Sequence, residues 1–319
     1  MAVFFGSPVD VTPGTTGAWT DIDVSADVPT GATGVLLLCV NAEGANNAIG
    51  LRKNGSTDNR TQFGGFTNHH GGAIGIDANR IFEAFIADAA TQTIWLVGYT
   101  ADDAAFLTNA IDKSTGTSGA WVDTDISADT GGDTAIAAYL EMIATGTGDG
   151  WGLRKNGSTD NRVATANDPR HTWAVIGVDE SEIFEQQVEG TSLDMFLVGY
   201  QKSGASFDTN APDRSLSTTG SYVDLAALPA GSVGGVYEIW KAGANQRTAA
   251  LRAKGDSADP NYTLRVGSHV WRWSACDANQ LVQGKISNAD VDFFEIGSYA
   301  AASPGSPIAK TLMLLGVGS

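Results

Sequence analysis

At 319 residues the chain exceeds what one hydrophobic core usually organises, and with 42% hydrophobic and 17% charged residues it is globular, not disordered. Its 36 acidic residues against 19 basic ones give a formal charge of -17, which repels phosphate backbones and anionic bilayers, so neither nucleic acid nor a membrane is an expected partner. The two cysteines, Cys39 and Cys276, are too few for a disulfide framework and sit in apolar settings (LLLCV, WSACD) that suit buried thiols.

Along the chain, the opening MAVFFGSPVD has no basic region before an apolar stretch, so synthesis in a cytoplasm without a secretory address is expected. In GAWTDIDVS (17–25), Thr20, Ile22 and Val24 alternate with Trp19, Asp21 and Asp23, which predicts a strand with one buried and one wet face. GVLLLCV (34–40) reads as a central strand. Next comes LRKNGSTDNR (51–60), where Asn54-Gly55 predicts a type I′ turn, positive φ at both residues, joining LRK and STD as a hairpin. ANRIFEAFIADAA (78–90) is the best helical candidate, but its later counterpart ESEIFEQQVEGTS carries β-branched residues and a glycine, so a strand is predicted. IWLVGY (94–99) closes this stretch as another strand.

The pattern then starts again. GAWVDTDIS (119–127) and GSYVDLAAL (220–228) repeat GAWTDIDVS, and Phe4, Phe106 and Phe207 each stand fifteen residues ahead of Trp19, Trp121 and Tyr222. HHGGAIGIDANRIFE (69–83), HTWAVIGVDESEIFE (171–185) and HVWRWSACDANQLVQ (269–283) align without a gap. The fold class is therefore all-β: three tandem antiparallel β-sandwich or jelly-roll-like domains, over residues 1–100, 101–201 and 202–319. The third carries an extra C-terminal strand in SPGSPIAKTLMLLGVGS. Its last strand is either FFEIGSY or, after an insertion, TLMLLGV.

LRKNGSTDNR itself returns unchanged at 153–162, while the flanking TQFGGFTNH and VATANDPRH diverge. Something holds Arg52, Lys53, Asp58 and Arg60 and their copies Arg154, Lys155, Asp160 and Arg162: either a charge network inside each domain or a repeated contact surface. The third copy keeps only Leu251, Arg252 and Gly255 of the pattern. His69, His171 and His269 share one repeat position, eight residues before Asp77, Asp179 and Asp277. A three-histidine metal site is the sharper reading, but one histidine per domain at this position favours structural histidines. Trp19, Trp121 and Tyr222 fall on the acidic strand face, so each either closes the end of its sandwich or meets a neighbour. No catalytic triad, phosphate loop, CxxC pair or dinucleotide loop is present, so no enzyme activity, cofactor or metal is expected.

Tandem units built of GAWTDIDVS, LRKNGSTDNR and GIDAN-type segments resemble the virion structural proteins of tailed bacteriophages, among them capsid decoration (cement) proteins and tail or fibre components. The resemblance implies a non-enzymatic decoration protein bound to the outer shell as a covalent pseudo-trimer. Its partners would be other virion proteins, the major capsid protein or tail components, or copies of itself. The alternative is a carbohydrate- or receptor-binding array on a tail or fibre, with Trp, Arg and Asp holding sugars.

Overall fold

The computed structural model describes residues 1–301 apart from 43–46, 63–67, 147, 167–169, 242, 244, 266 and 268. The first third of the chain forms β1 (Val3–Asp10), β2 (Thr20–Asp23), β3 (Gly34–Asn41), β4 (Ile49–Lys53), β5 (Asn68–Gly75), β6 (Ile81–Ile86) and β7 (Gln92–Thr100). The second forms β8 (Ala104–Asp112), β9 (Trp121–Asp125), β10 (Ala137–Ala144), β11 (Asp149–Lys155), β12 (Ala164–Ala166), β13 (Arg170–Gly177), β14 (Ile183–Val188) and β15 (Leu193–Gln201). The third forms β16 (Ala205–Phe207), β17 (Val223–Asp224), β18 (Ser232–Lys241), β19 (Arg247–Ala253), β20 (Tyr262–Leu264), β21 (His269–Ala275), β22 (Val282–Ile286) and β23 (Val291–Ala300). Among the described residues the one helical segment is a single 3-10 turn at Ser127–Asp129, and no helix is long and apolar enough to cross a membrane.

Each third builds two antiparallel sheets, β8-β15-β10-β13 with β9-β14-β11-β12 in the second unit and β16-β23-β18-β21 with β17-β22-β19-β20 in the third. Counted within a unit, the order is 1-8-3-6 in one sheet and 2-7-4-5 in the other, and every connection but the fourth-to-fifth changes sheet. That is the jelly roll. The first unit repeats it as β1-β7-β3-β5 and β2-β6-β4, without a described counterpart of β12. The ANRIFE segment is the strand β6, alternately half-buried and buried, as its pairing between β2 and β4 requires. Strand β23 fills the slot of β7 and β15, so VDFFEIGSYA ends the third sandwich. TLMLLGV and the expected extra strand lie outside the described residues.

Strands β3, β5 and β10 are buried at every residue. A sandwich covers only one face of a sheet, so the other face has a different partner. That partner is the next unit: the edge strands β5, β13 and β21 converge at the centre of the molecule, each in contact with the other two. Gly71 of β5 lies against the backbone of Trp271 and the ring of Trp273, Trp151 stacks near His269 and Trp271, and His70 stacks on Trp173. The length and repeat pattern predict separately packed cores, but the apolar packing is continuous. One cluster runs from Val35 and Leu37 through Tyr139 and Trp173 to Trp271 and Tyr299, and a second lies inside the third unit around Ile239 and Phe293.

The turn after β4 corrects the sequence reading. Only Gly55 takes a positive φ (81°), as does Gly157 (80°), whereas Asn54 and Asn156 do not. The Ser56 N–H donates to the Lys53 carbonyl (3.0 Å), and with the left-handed residue in the third position this is a type II turn, not type I′. Nor do LRK and STD pair as a hairpin, since β4 pairs with β6, and in the second unit β11 takes β12 and β14 as neighbours. The segment from Ser56 to Arg60 leaves the sheet because its polar side chains are satisfied elsewhere.

Candidate functional site: the seams between the units

Every polar letter of the decapeptide has a partner. Arg52 makes a two-pronged ion pair with Glu83 (2.9 and 2.8 Å), donates to the Asp58 carbonyl (2.6 Å) and lies 4.2 Å over the ring of Trp19, whose Nε1 donates to Asn59 Oδ1 (2.9 Å). Asn54 Nδ2 donates to Asp77 Oδ2 (2.8 Å). These contacts stay within the unit and shape the loop. The remainder cross to the second unit. Lys53 Nζ donates to the Phe106 carbonyl (3.2 Å), Ser56 and Thr57 bond Asn109 Oδ1, and Asp58 Oδ2 accepts the Ala110 N–H (2.7 Å). Arg60 donates to Glu141 Oε2 (2.8 Å) and Asp58 Oδ2 (3.0 Å) while covering the ring of Phe196 at 4.3 Å.

The second copy repeats this toward the third unit. Arg154 pairs with Glu185 over Trp121, Lys155 reaches the Phe207 carbonyl (3.1 Å), Ser158 and Thr159 bond Asn210, and Asp160 accepts the Ala211 N–H (2.8 Å). Arg162 donates to Glu238 (2.9 Å) over Phe294 (4.2 Å). Burial works against the charge on Arg60 and Arg162, but Glu141 with Asp58, and Glu238 with Asp160, outweigh it and hold both guanidinium groups above their ordinary pKa.

The repeat-equivalent histidines complete these seams. His171 Nδ1 meets the Ile49 carbonyl of the first unit (2.7 Å), where the carbonyl can only accept, and Nε2 meets Glu141 Oε1. His171 thus ties the carboxylate that receives Arg60 to the backbone of the first unit. His269 Nε2 makes the same contact with Glu238. Among the described residues no group of three or more His, Cys, Asp or Glu is arranged to hold a metal ion.

The third seam, from the third unit back to the first, is different. By strand register Leu38 stands where Glu141 and Glu238 stand, and Ala258 and Pro260 replace Asp58 and Arg60. His69 Nδ1 meets the Thr263 carbonyl instead (2.9 Å), and its pKa is held well below 6.5 by burial and by nearby Arg272. The ring closes on apolar contacts. Phe4 packs against Tyr299 at 5.5 Å and over Gly234, just as Phe106 and Phe207 sit over Gly75 and Gly177. A Cβ at any of those glycines would fall within 2.7 Å of a phenylalanine side-chain atom.

Trp19, Trp121 and Tyr222 are half-buried on the outer sheets under Arg52, Arg154 and Arg252, in contact with their own units. The residues that sequence reasoning missed are Glu141, Glu238, Asn109, Asn210, Phe196 and Phe294, which receive the decapeptides. One signal was readable: AIAAYLEMI and GVYEIW each hold one glutamate inside an apolar run, whereas GVLLLCV holds none, and a carboxylate in a buried strand requires a cationic partner.

No family model and no curated protein matches the sequence. Among solved structures, the STIV major capsid protein overlaps 66% of this chain and 98% of its own at 7% identity and a TM-score of 0.27. A chain from the atomic structure of Sulfolobus turreted icosahedral virus covers 94% of this one and 91% of its own at 10% identity and a TM-score of 0.23. A chain from an archaeal virus structure described by its triple jelly roll fold and turret assembly overlaps equally widely at 9% identity and a TM-score of 0.21. Overlaps this loose carry no functional conclusion; the strand order above is what assigns the jelly roll.

Proposed function

We propose that the chain is a non-enzymatic structural protein of a virus particle, a covalent pseudo-trimer that decorates the outer capsid surface. The observation that carries this reading is the closed ring: three jelly rolls meet through β5, β13 and β21, joined by two near-identical polar seams and one apolar one. Three equivalent units around one axis present matching faces to a threefold arrangement of shell proteins. The exposed Asp21, Asp23, Asp123 and Asp125 keep the outer sheets acidic and turned away from phosphate. The sugar-binding alternative needs open aromatic faces, and those of Trp19, Trp121 and Tyr222 are occupied by arginines of their own units.

The test is co-sedimentation of the purified protein with shells stripped of it. Saturable binding at one copy per threefold position is expected. Failure to pellet with stripped shells, together with binding to a bacterial or archaeal surface polysaccharide, would overturn the reading in favour of the receptor-binding alternative.

A further inference from the structure

The third seam holds a cation without an anion. Arg272 on β21 is only 4% exposed, yet its one hydrogen bond is from Nη1 to the Pro260 carbonyl at 3.3 Å, and among the described residues no carboxylate pairs with it. Every other buried arginine of the seams has a bidentate or doubled carboxylate contact. Arg272 lines a crevice between the third and first units with about 40 Å³ of room, walled by Phe5, Pro8, Leu38 and Val97 on one side and Ala258 and Trp273 on the other. Asp256 stands at the same crevice, but its Oδ1 caps the Ala258 N–H (3.0 Å) and it forms no ion pair with Arg272.

We propose that this crevice is a carboxylate site: a small carboxylate enters beside Arg272 and takes the place that Glu141 and Glu238 hold in the other two seams. The chemistry follows from what is missing. An isolated buried charge is expensive, a guanidinium recognises a carboxylate through paired N–H donors, and apolar walls strengthen that pair by excluding water. The room suits a headgroup of three heavy atoms rather than a sugar or nucleotide. Burial, only partly offset by Tyr262 and Tyr222, presses the Arg272 pKa down to about 10, and a bound carboxylate relieves that pressure.

The experiment uses the full chain and sodium acetate, with sodium chloride at equal ionic strength as the reference. Acetate should raise the melting temperature of the wild type with the logarithm of its concentration above the dissociation constant, by about 2 °C at roughly ten- to a hundredfold that constant. Arg272→Met should abolish the response. Leu38→Glu supplies the carboxylate from inside the chain, so it should melt above the wild type and ignore acetate. No acetate-specific shift in the wild type, an equal shift in Arg272→Met, or a Leu38→Glu protein that melts lower than the wild type would each overturn the proposal. Should Arg272→Met not fold, Leu38→Glu still decides. A glutamate-rich peptide in place of acetate distinguishes the source: a larger shift than acetate gives at equal carboxylate concentration assigns the site to a partner protein, and an equal or smaller one to a free small carboxylate.

Discussion

Replacing Arg60 with methionine tests the first seam most sharply. Methionine keeps much of the apolar stem over Phe196, so the loss is confined to the guanidinium. Glu141 is 1% exposed and would keep only His171 as a partner. Breaking a buried pair from one side costs about 3–5 kcal/mol, and the cation–π contact with Phe196 adds about 0.5–1. Because the Arg60 side chain is 18% exposed, water compensates in part, and the lower end, about 3 kcal/mol, is expected. At the third seam Pro260 and Leu38 stand in place of this pair, so the positions accept an apolar version. Arg60→Met with Glu141→Leu should therefore cost about 1 kcal/mol, less than Arg60→Met alone, so the coupling is at least about 2 kcal/mol and larger by whatever Glu141→Leu costs on its own. A urea double-mutant cycle measures this, and amide hydrogen exchange in β10 and β13 localises it, since a three-unit ring need not unfold in one step. If the double variant costs as much as the two single ones added together, the seam is not held by this pair.

Gly55→Val or Gly157→Val should each destabilise by about 1 kcal/mol or more, because no atom lies within 4 Å of the added Cβ and the cost comes from the positive φ alone; an unchanged melting curve would refute the turn geometry. Acid should loosen the third seam through His69. Burial first, then Arg272 and His70, keep it neutral in the folded chain, whereas the unfolded chain takes up a proton near 6.5. The contribution is thus present above that value and is lost as pH falls below it. Beyond Arg272 and His70, the Tyr262 ring (5.8 Å) and the Thr263 carbonyl face this histidine. The melting temperature of the wild type should therefore fall relative to His69→Gln between about pH 7 and pH 5, and parallel pH profiles would count against it.

The strands were readable because each unit alternates its residues in the way one buried sheet face demands, as in Ile22 and Val24 against Asp21 and Asp23. The closing strand of the third unit was less so, since VDFFEIGSYA and TLMLLGV both satisfy the period and only pairing with β18 decides between them. The type I′ expectation failed because Asn-Gly fits two turn types, and the choice rests on where the next residues go. Here Ser56 and Thr57 go to Asn109, a residue 52 or more positions away that no local pattern reveals. The histidines likewise share a repeat position that was visible, but their acceptors, Ile49 and Thr263, belong to other units.

The two identical decapeptides follow from the order of the units along the chain. A seam has a giving side and a receiving side. The first unit gives to the second and the second to the third, so the loop that gives is needed twice, in the same geometry, against receivers that both carry Asn, Ala and Glu at matching positions. In a trimer of separate chains the third seam would have to be identical as well, since one sequence serves all three. Fusion removes that requirement: the third unit's loop and the first unit's β3 can differ from the other copies together, and they do, as Ala258 with Pro260 and as Leu38. Either change alone would have left a buried charge without its partner. The repeated decapeptide and its absence from the third unit are thus one constraint acting on pairs of positions, and the arginine stranded at the third seam is the place where the pairing within this chain stops.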